Sequence, residues 1–404
     1  MSSNGAFWPI GNLIAMRSVS PTHAPDDAYK ALRPYQTSCN DLFQTVVGLT
    51  PKVLLAALLL PSFMAPLLSG AAETYSWSWI APIVARDLIG SFVICAGWEH
   101  ILYSSTLAPK LAKYKMNLKM PRNYNEQIAH DQVFTFFCVL CASAVEVWAL
   151  HTYAIGGFGT TWRDGFWGAG AIFNVLWVAT TTYWRLTHFW FIHRGMHPWF
   201  KKGSAVGKYF PDIGKLMYTH VHKLHHYSYN PTTWSGLSMH PVEGTIYFTA
   251  ALIPALLGGA HPYLFILCKL CLSIDSVRCY SRERHSVYHP ALPSHHMFFF
   301  CNIIVQWVAH DGFGPPSAGV YFHFLHHAHY NCNYGDTVVP FDWLFGSFMA
   351  APPQRGGGGQ GKGKGGGGSR GGNAVVDEAD FHAQWEWDQD DVARSGVGSS
   401  AVHI

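Results

Sequence analysis

Charge is scarce in this chain. Only 13% of its 404 residues are Asp, Glu, Lys or Arg, against about 25% in ordinary soluble domains. With 49% hydrophobic residues, it does not read as a water-soluble globule. Phosphate-cradling loops are missing: no nucleotide-binding glycine fingerprint or Walker loop opens a helix, which removes the usual nucleotide-binding readings. The nine cysteines make no disulfide framework. Cys138/Cys141 and Cys268/Cys271 have CxxC spacing but lie inside apolar runs, where small buried side chains are the simpler reading. The first 50 residues lack the short apolar core and small-residue cleavage site of a signal peptide, so the first apolar span is expected to insert as its own signal. The net charge of +3 decides little, and no nucleic-acid partner is expected.

What is present is apolar and clumped. Runs at 52–70, 80–103, 131–154 and 168–187 are each near the ~20 residues that cross a bilayer as a helix. Two shorter runs, 244–258 and 262–277, are separated by Gly258, Gly259, Ala260 and His261, which reads as a membrane-dipping hairpin or two short tilted spans. A further piece, 297–309, is too short to cross alone. Basic residues set the expected orientation. Lys110, Lys113, Lys115, Lys119 and Arg122 fill one loop, and Arg194, Lys201, Lys202, Lys208, Lys215 and Lys223 fill another. The stretch 71–79 carries only Glu73, and 155–167 only Arg163 and Asp164. Four crossings with the N-terminus inside put both basic segments in the cytosol.

Three histidine clusters lie on that same side: HRGMH at 193–197, HKLHH at 222–226 and HFLHH at 323–327. His193 and His197 are spaced i, i+4. His222, His225 and His226, like His323, His326 and His327, are spaced i, i+3, i+4, which on a helix puts each cluster on one face. Neutral imidazole is the commonest side-chain metal ligand. Eight such donors exceed the four that satisfy one zinc, and they suit two metals. No cysteine lies in any cluster, so an iron–sulfur or zinc-ribbon site is not expected.

Other residues read more plainly. His188 and His329 flank the clusters and are expected to pack or to hydrogen-bond nearby. His285, His289, His295 and His296 form a dense patch broken by two prolines, read as a loop near the site. Arg86, Asp87, Glu99 and His100 lie in or near the second span; intramembrane charges are costly and usually paired, so an Arg86 salt bridge is expected there. Residues 355–373 are a glycine-rich spacer. Beyond it, Asp377, Glu378, Asp380, Glu386, Asp388, Asp390 and Asp391 face Arg394 alone, with Trp385 and Trp387 among them, a composition that does not bury a core.

The ordered clusters resemble the fatty acid hydroxylase / sterol desaturase superfamily of membrane di-iron enzymes. HRGMH resembles its HRxxH. HKLHHYSYNPTTWSGLSMHPVE resembles its HxxHH with a following His240–Pro241–Glu243 element. AHDGFGPP resembles a short element that supplies one more ligand, here His310. HFLHHAHYNCNYGDTVVPFDWLFGSF resembles the last HxxHH with its Asn-Tyr-Gly and Asp…Phe-Gly signature. The match covers about 170–350; the tail is not covered, and YWRLTHFWFI departs from the acid that many relatives carry before HRxxH. The resemblance implies His193, His197, His222, His225, His226, His310, His323, His326 and His327 as ligands of two iron ions. His240, Glu243, Asp336 and Asp342 are implied as further ligands or as partners that orient the metal-bound imidazoles; Asp336 and Asp342 equally suit caps and turns. Dioxygen would be the co-substrate and a membrane lipid the substrate, of sterol or fatty-acyl type. No HPGG haem segment is found, so electrons would come from a separate cytochrome b5 or a reductase.

The expected fold is an all-α integral membrane protein: four or more transmembrane helices under a cytosolic histidine-rich helical cap, in the endoplasmic reticulum. The expected parts are an N-terminal cytosolic segment (1–50), membrane helices (51–167), a catalytic domain (168–350) and the linker with its acidic tail (351–404). A non-oxidative zinc protein such as a membrane hydrolase is the alternative. A transporter with a histidine-lined path is disfavoured, because the clusters lie past the span ends.

Overall fold

The computed structural model describes residues 39–112, 124–159, 162–200, 205–228, 231–275, 310, 319–336 and 338–349. Among them every regular element is helical. The order is α1 (Cys39–Leu68), α2 (Trp77–Glu99), α3 (Ala108–Leu111), α4 (Tyr124–Ala154), α5 (Ala171–Gly195), α6 (Ile213–His220), α7 (Pro241–Phe248), α8 (Ile253–Gly258), α9 (Pro262–Asp275), α10 (Gly319–His329) and α11 (Phe341–Leu344). The acidic tail and the patch at His285–His296 lie outside the described residues.

α4 is the central helix. It packs on α1, α2, α7 and α9, and α1 packs along α9. Its residues Leu150 and Tyr153 are buried with Phe265, Ile266 and Leu267 of α9. Tyr153 Oη donates to the Ala260 carbonyl (2.9 Å), so even the phenol at this end of the core has a partner. Side chains of α2 and α5 remain largely uncovered: Ile89, Val93, Ile172 and Leu176 are exposed. Such apolar faces suit hydrocarbon surroundings rather than water.

Among the described residues, three helical stretches are long and apolar enough to cross a membrane: Trp77–Ser104, Tyr124–Ala154 and Pro241–Gly258. Two of these fall on expected spans. The third extends the run at 244–258 back to Pro241, because α7, a 3₁₀ turn at Thr249–Leu252 and α8 form one continuous stretch, and at 18 residues it suits the short tilted span expected there. The expected span at 168–187 does form a helix, α5, of 25 residues, but it is not among the three. Thr180, Thr181, Thr182, Arg185 and His188 dilute its apolar character. The chain reverses between α8 and α9 at Gly259, which sits at φ 58°, a left-handed conformation cheap for glycine.

Four charges meet inside this bundle. Arg86 and Asp87 come from α2, Glu146 from α4 and Lys269 from α9. Arg86 Nη2 lies 2.8 Å from Asp87 Oδ1 and 2.6 Å from Glu146 Oε2. Lys269 Nζ pairs with both carboxylates, and Ser143 Oγ donates to Asp87 (2.8 Å). The expected Arg86 pair is thus one edge of a neutral quartet that ties three helices together.

The described residues fall into two units, those of 39–199 with 213–349, and those of Phe200–Asp212. In the second unit the described part holds a 3₁₀ turn at Val206–Lys208, and the Phe200 N–H donates to Asp212 Oδ2 (3.0 Å).

Candidate metal centre

His193 occupies the last turn of α5. His197 follows one turn later, where the Met196 and His197 N–H groups still bond back to Ile192, His193 and Arg194 carbonyls. The second cluster is not α-helical: His222–Tyr227 is a 3₁₀ turn. The third lies on α10 as a true α-helix. Gly214 is required beside the first cluster, since a Cβ there would stand 2.1 Å from the His197 carbonyl oxygen.

The fold brings the nine expected histidines together as a group of five and a group of four. His193, His197, His222, His226 and His326 form the first; His225, His310, His323 and His327 form the second. All nine are buried. The division follows the spacing. The i, i+4 pairs His193/His197 and His222/His226 stay in the first group, and His323/His327 stay in the second. The i+3 member of each triplet crosses over: His225 joins the second group and His326 the first.

The nitrogens converge. His222 Nε2 lies 2.9 Å from His193 Nε2 and 3.0 Å from His226 Nε2. His226 Nε2 also faces His197 Nε2 (3.3 Å) and His326 Nε2 (3.1 Å). In the second group, His310 Nε2 lies 2.8 Å from His323 Nε2 and 3.1 Å from His327 Nε2. A ring nitrogen carries one proton or one lone pair, so the three contacts of His226 cannot all be hydrogen bonds. Two nitrogens bound at right angles on one metal, each at about 2.1 Å, sit about 3.0 Å apart. The donor set therefore fits a metal ion in each group.

The far side of the rings is also arranged. The Nδ1–H of His193 donates to the Tyr334 carbonyl (2.5 Å) and that of His326 to the Cys332 carbonyl (2.6 Å). His225 Nδ1–H donates to the Ser238 carbonyl (3.1 Å), and His222 Nδ1–H to Glu243 Oε1 (2.8 Å). Such partners fix the tautomer and turn the Nε2 lone pair toward the centre. Burial pushes the imidazoles of His193, His197, His226, His323, His326 and His327 well below their ordinary pKa, and that of His222 down to about 3. Uncharged rings are the ligating form.

The four accessory residues stand outside both groups. His240 caps α7, accepting from the Val242 N–H (3.1 Å). With Pro241 it starts the helix that carries Glu243 to His222. Asp342 accepts from the N–H groups of Tyr334 (2.9 Å) and Gly335 (2.8 Å) and from Ser347 Oγ (2.6 Å), which sets the Tyr334 carbonyl for His193. Asp336 Oδ1 accepts from the Val338 N–H (2.9 Å) in the same loop. That loop is strained where it nears the rings: Tyr330 has φ 61° and Asn333 φ 53°, values rare outside glycine. The Asn333 side chain pins it through Phe322, Met349 and the Met349 N–H. His188 instead contacts Thr249 Oγ1 (3.2 Å). His188 and His329 join neither group.

Residues 173–347 match the family described as fatty acid hydroxylase. Over that stretch the match supports the fatty acid hydroxylase / sterol desaturase superfamily. Similar proteins include the Delta(7)-sterol 5(6)-desaturase erg3C of Aspergillus fumigatus, 27% identical over 39% of this chain and 51% of that protein. The lathosterol oxidase of Rattus norvegicus is 23% identical over 68% of this chain and 79% of its own length. The very-long-chain aldehyde decarbonylase GL1-11 of Oryza sativa is 30% identical over 33% of this chain and 43% of its own. The chain thus spans about half the length of the first of these relatives. No solved structure matches it.

Proposed function

We propose that the protein is a membrane di-iron oxidoreductase that uses dioxygen to hydroxylate or desaturate a lipid of sterol or fatty-acyl type. The observation that carries this reading is the division of nine buried imidazoles into two adjacent groups. A lone structural or hydrolytic zinc is satisfied by about four ligands, which leaves the other donors without a task, and a zinc hydrolase is therefore the weaker reading. The names of the relatives, sterol desaturases, an oxidase and an aldehyde decarbonylase, support lipid oxidation.

Iron bound in the two groups would supply dioxygen activation and removal of hydrogen from an unactivated C–H bond. His193, His197, His222, His226 and His326 would hold one ion, and His225, His310, His323 and His327 the other. Glu243 and the carbonyls of Ser238, Cys332 and Tyr334 hold the rings in place. Burial excludes water, and the uncovered apolar faces of α2 and α5 suit delivery of substrate from the bilayer. Electrons would arrive from a separate cytochrome b5 or a reductase.

The test is metal analysis joined to untargeted lipid analysis. Protein purified from membranes is expected to hold iron near two per chain, and its expression is expected to shift a specific lipid by two hydrogens or one oxygen. One tightly held zinc with no lipid change would establish the hydrolase reading instead.

The same proposal places the histidine cap on the cytosolic face of the endoplasmic reticulum membrane, with four or more crossings. Glycosylation acceptors engineered at 155–165 are then expected to be modified, and acceptors at 203–210 to stay unmodified. Modification at 203–210 would put the first two clusters in the lumen, away from cytosolic electron donors, and would sink this placement.

A further inference from the structure

Between the second histidine cluster and His240, Ser228 and the stretch 231–239 are buried, and much of that stretch is polar. Ser228, Thr232, Thr233, Ser235 and Ser238 are all at most 1% exposed. Hydroxyls in such surroundings need partners, and two carboxylates from distant helices supply most of them. Asp131 of α4 accepts from Ser228 Oγ through Oδ1 (2.7 Å) and from Ser235 Oγ through Oδ2 (2.8 Å). Glu99, at the end of α2, accepts from Thr233 Oγ1 (2.5 Å) and from the Tyr124 phenol. Between them, Thr135 of α4 donates to the Trp234 carbonyl (3.1 Å). The His100–Ser104 turn that directly follows Glu99 is π-helical, a rare irregularity found frequently at functional sites.

The clamped segment ends at Ser238, whose carbonyl accepts from His225. It begins just after His226. Asp131 is wholly buried, and beyond these two hydroxyls its contact is with the His130 ring (3.1 Å). Hydrogen bonds to a buried carboxylate are about twice as strong as neutral ones, so this clamp is firm. Both carboxylates lie outside the matched stretch 173–347.

We propose that Asp131, assisted by Glu99, is a positioning residue for the second metal. It fixes the Ser228–Ser238 segment so that the Ser238 carbonyl orients His225 toward His310, His323 and His327. The helices preceding the matched domain thereby complete the centre. This rests on the two-metal reading of the site.

The test is ferrous-iron titration of membrane-purified protein, with bound metal counted per chain. Wild type is expected to bind two. Asp131→Ala is expected to hold one tightly and to bind the other more weakly, by up to the roughly 10- to 100-fold that loss of a ligand's own outer partner costs, since Asp131 acts on His225 through the Ser238 carbonyl. Asp131→Asn, which keeps an acceptor oxygen, is expected to recover most of the second site. The double variant Ser228→Ala/Ser235→Ala removes the clamp from the other side and is expected to repeat the Asp131→Ala result. Two tight metals in Asp131→Ala, or equal weakening of both sites, would overturn the proposal. So would failure of both clamp variants to reach the membrane, which would make Asp131 a folding residue. Fewer than two metals in wild type would instead defeat the two-metal reading itself.

Discussion

His326→Ala is expected to abolish lipid oxidation while leaving the protein folded in the membrane. His326 lies on α10 yet serves the first group, where its Nε2 faces His226 Nε2 at 3.1 Å. Its loss removes the one donor that α10 gives to that group. Misplacement of reacting centres by as little as about 1 Å can cost on the order of 100-fold, and loss of a ligand should cost at least as much. His329→Ala is the comparison. It sits on the same helix, three residues on, and belongs to neither group, so turnover should stay within a few-fold of wild type by the rule that substitutions away from a site perturb little. Product formation and metal content, measured in both variants at matched membrane abundance, check the pair. Near-normal turnover in His326→Ala would contradict ligation.

The second large effect is on stability. Glu146→Ala leaves Lys269 and Arg86 to share Asp87 inside the bundle, one carboxylate for two cations. Removing one partner from a buried ion pair typically costs about 3–5 kcal/mol, because the remaining charge is stranded. The purified variant should unfold at a markedly lower temperature than wild type. Replacing Glu146 by Ala together with Lys269 by Met removes one charge of each sign and leaves Arg86 with Asp87. Much of the loss should then return, and the double-mutant cycle should show strong coupling. A Glu146→Ala protein as heat-stable as wild type would show that water or lipid headgroups reach the quartet.

Much of the site was legible because its chemistry is written in local spacing. Imidazoles at i, i+3 and i+4 announce themselves before any fold is known. Their division into two groups was not legible. It depends on a 3₁₀ turn at His222–Tyr227 and a true α-helix at Gly319–His329, and on how those elements face each other. His310 has no neighbouring histidine and was reached only through the resemblance. Asp131 and Glu99 are single carboxylates on long helices, and their meaning lies in contacts with hydroxyls 97 to 134 residues away.

The fold was legible in the same uneven way. Long apolar runs gave α2 and α4, since length and hydropathy are local. Lys269 and Glu146 sit inside such runs, and a charge within an apolar stretch reveals its partner only in three dimensions. The run at 168–187 forms a helix whose threonines weaken its apolar signal. The run at 244–258 gains three residues in the structure, because Pro241 starts α7 ahead of the apolar residues.

The carbonyls of Ser238, Cys332 and Tyr334 have an evolutionary consequence. A peptide oxygen is encoded by every codon, so drift in the side chain at Ser238 or Cys332 leaves the imidazole anchor intact. The Ser238 hydroxyl itself has no hydrogen-bond partner. Changes of similar size at Ser238 or Cys332 therefore spare the acceptor itself, and damage enters through changes that bend the main chain, such as a new proline or a side chain too large for these buried places. A lineage can thus rework the surrounding side chains for another lipid without rebuilding the supports of these rings.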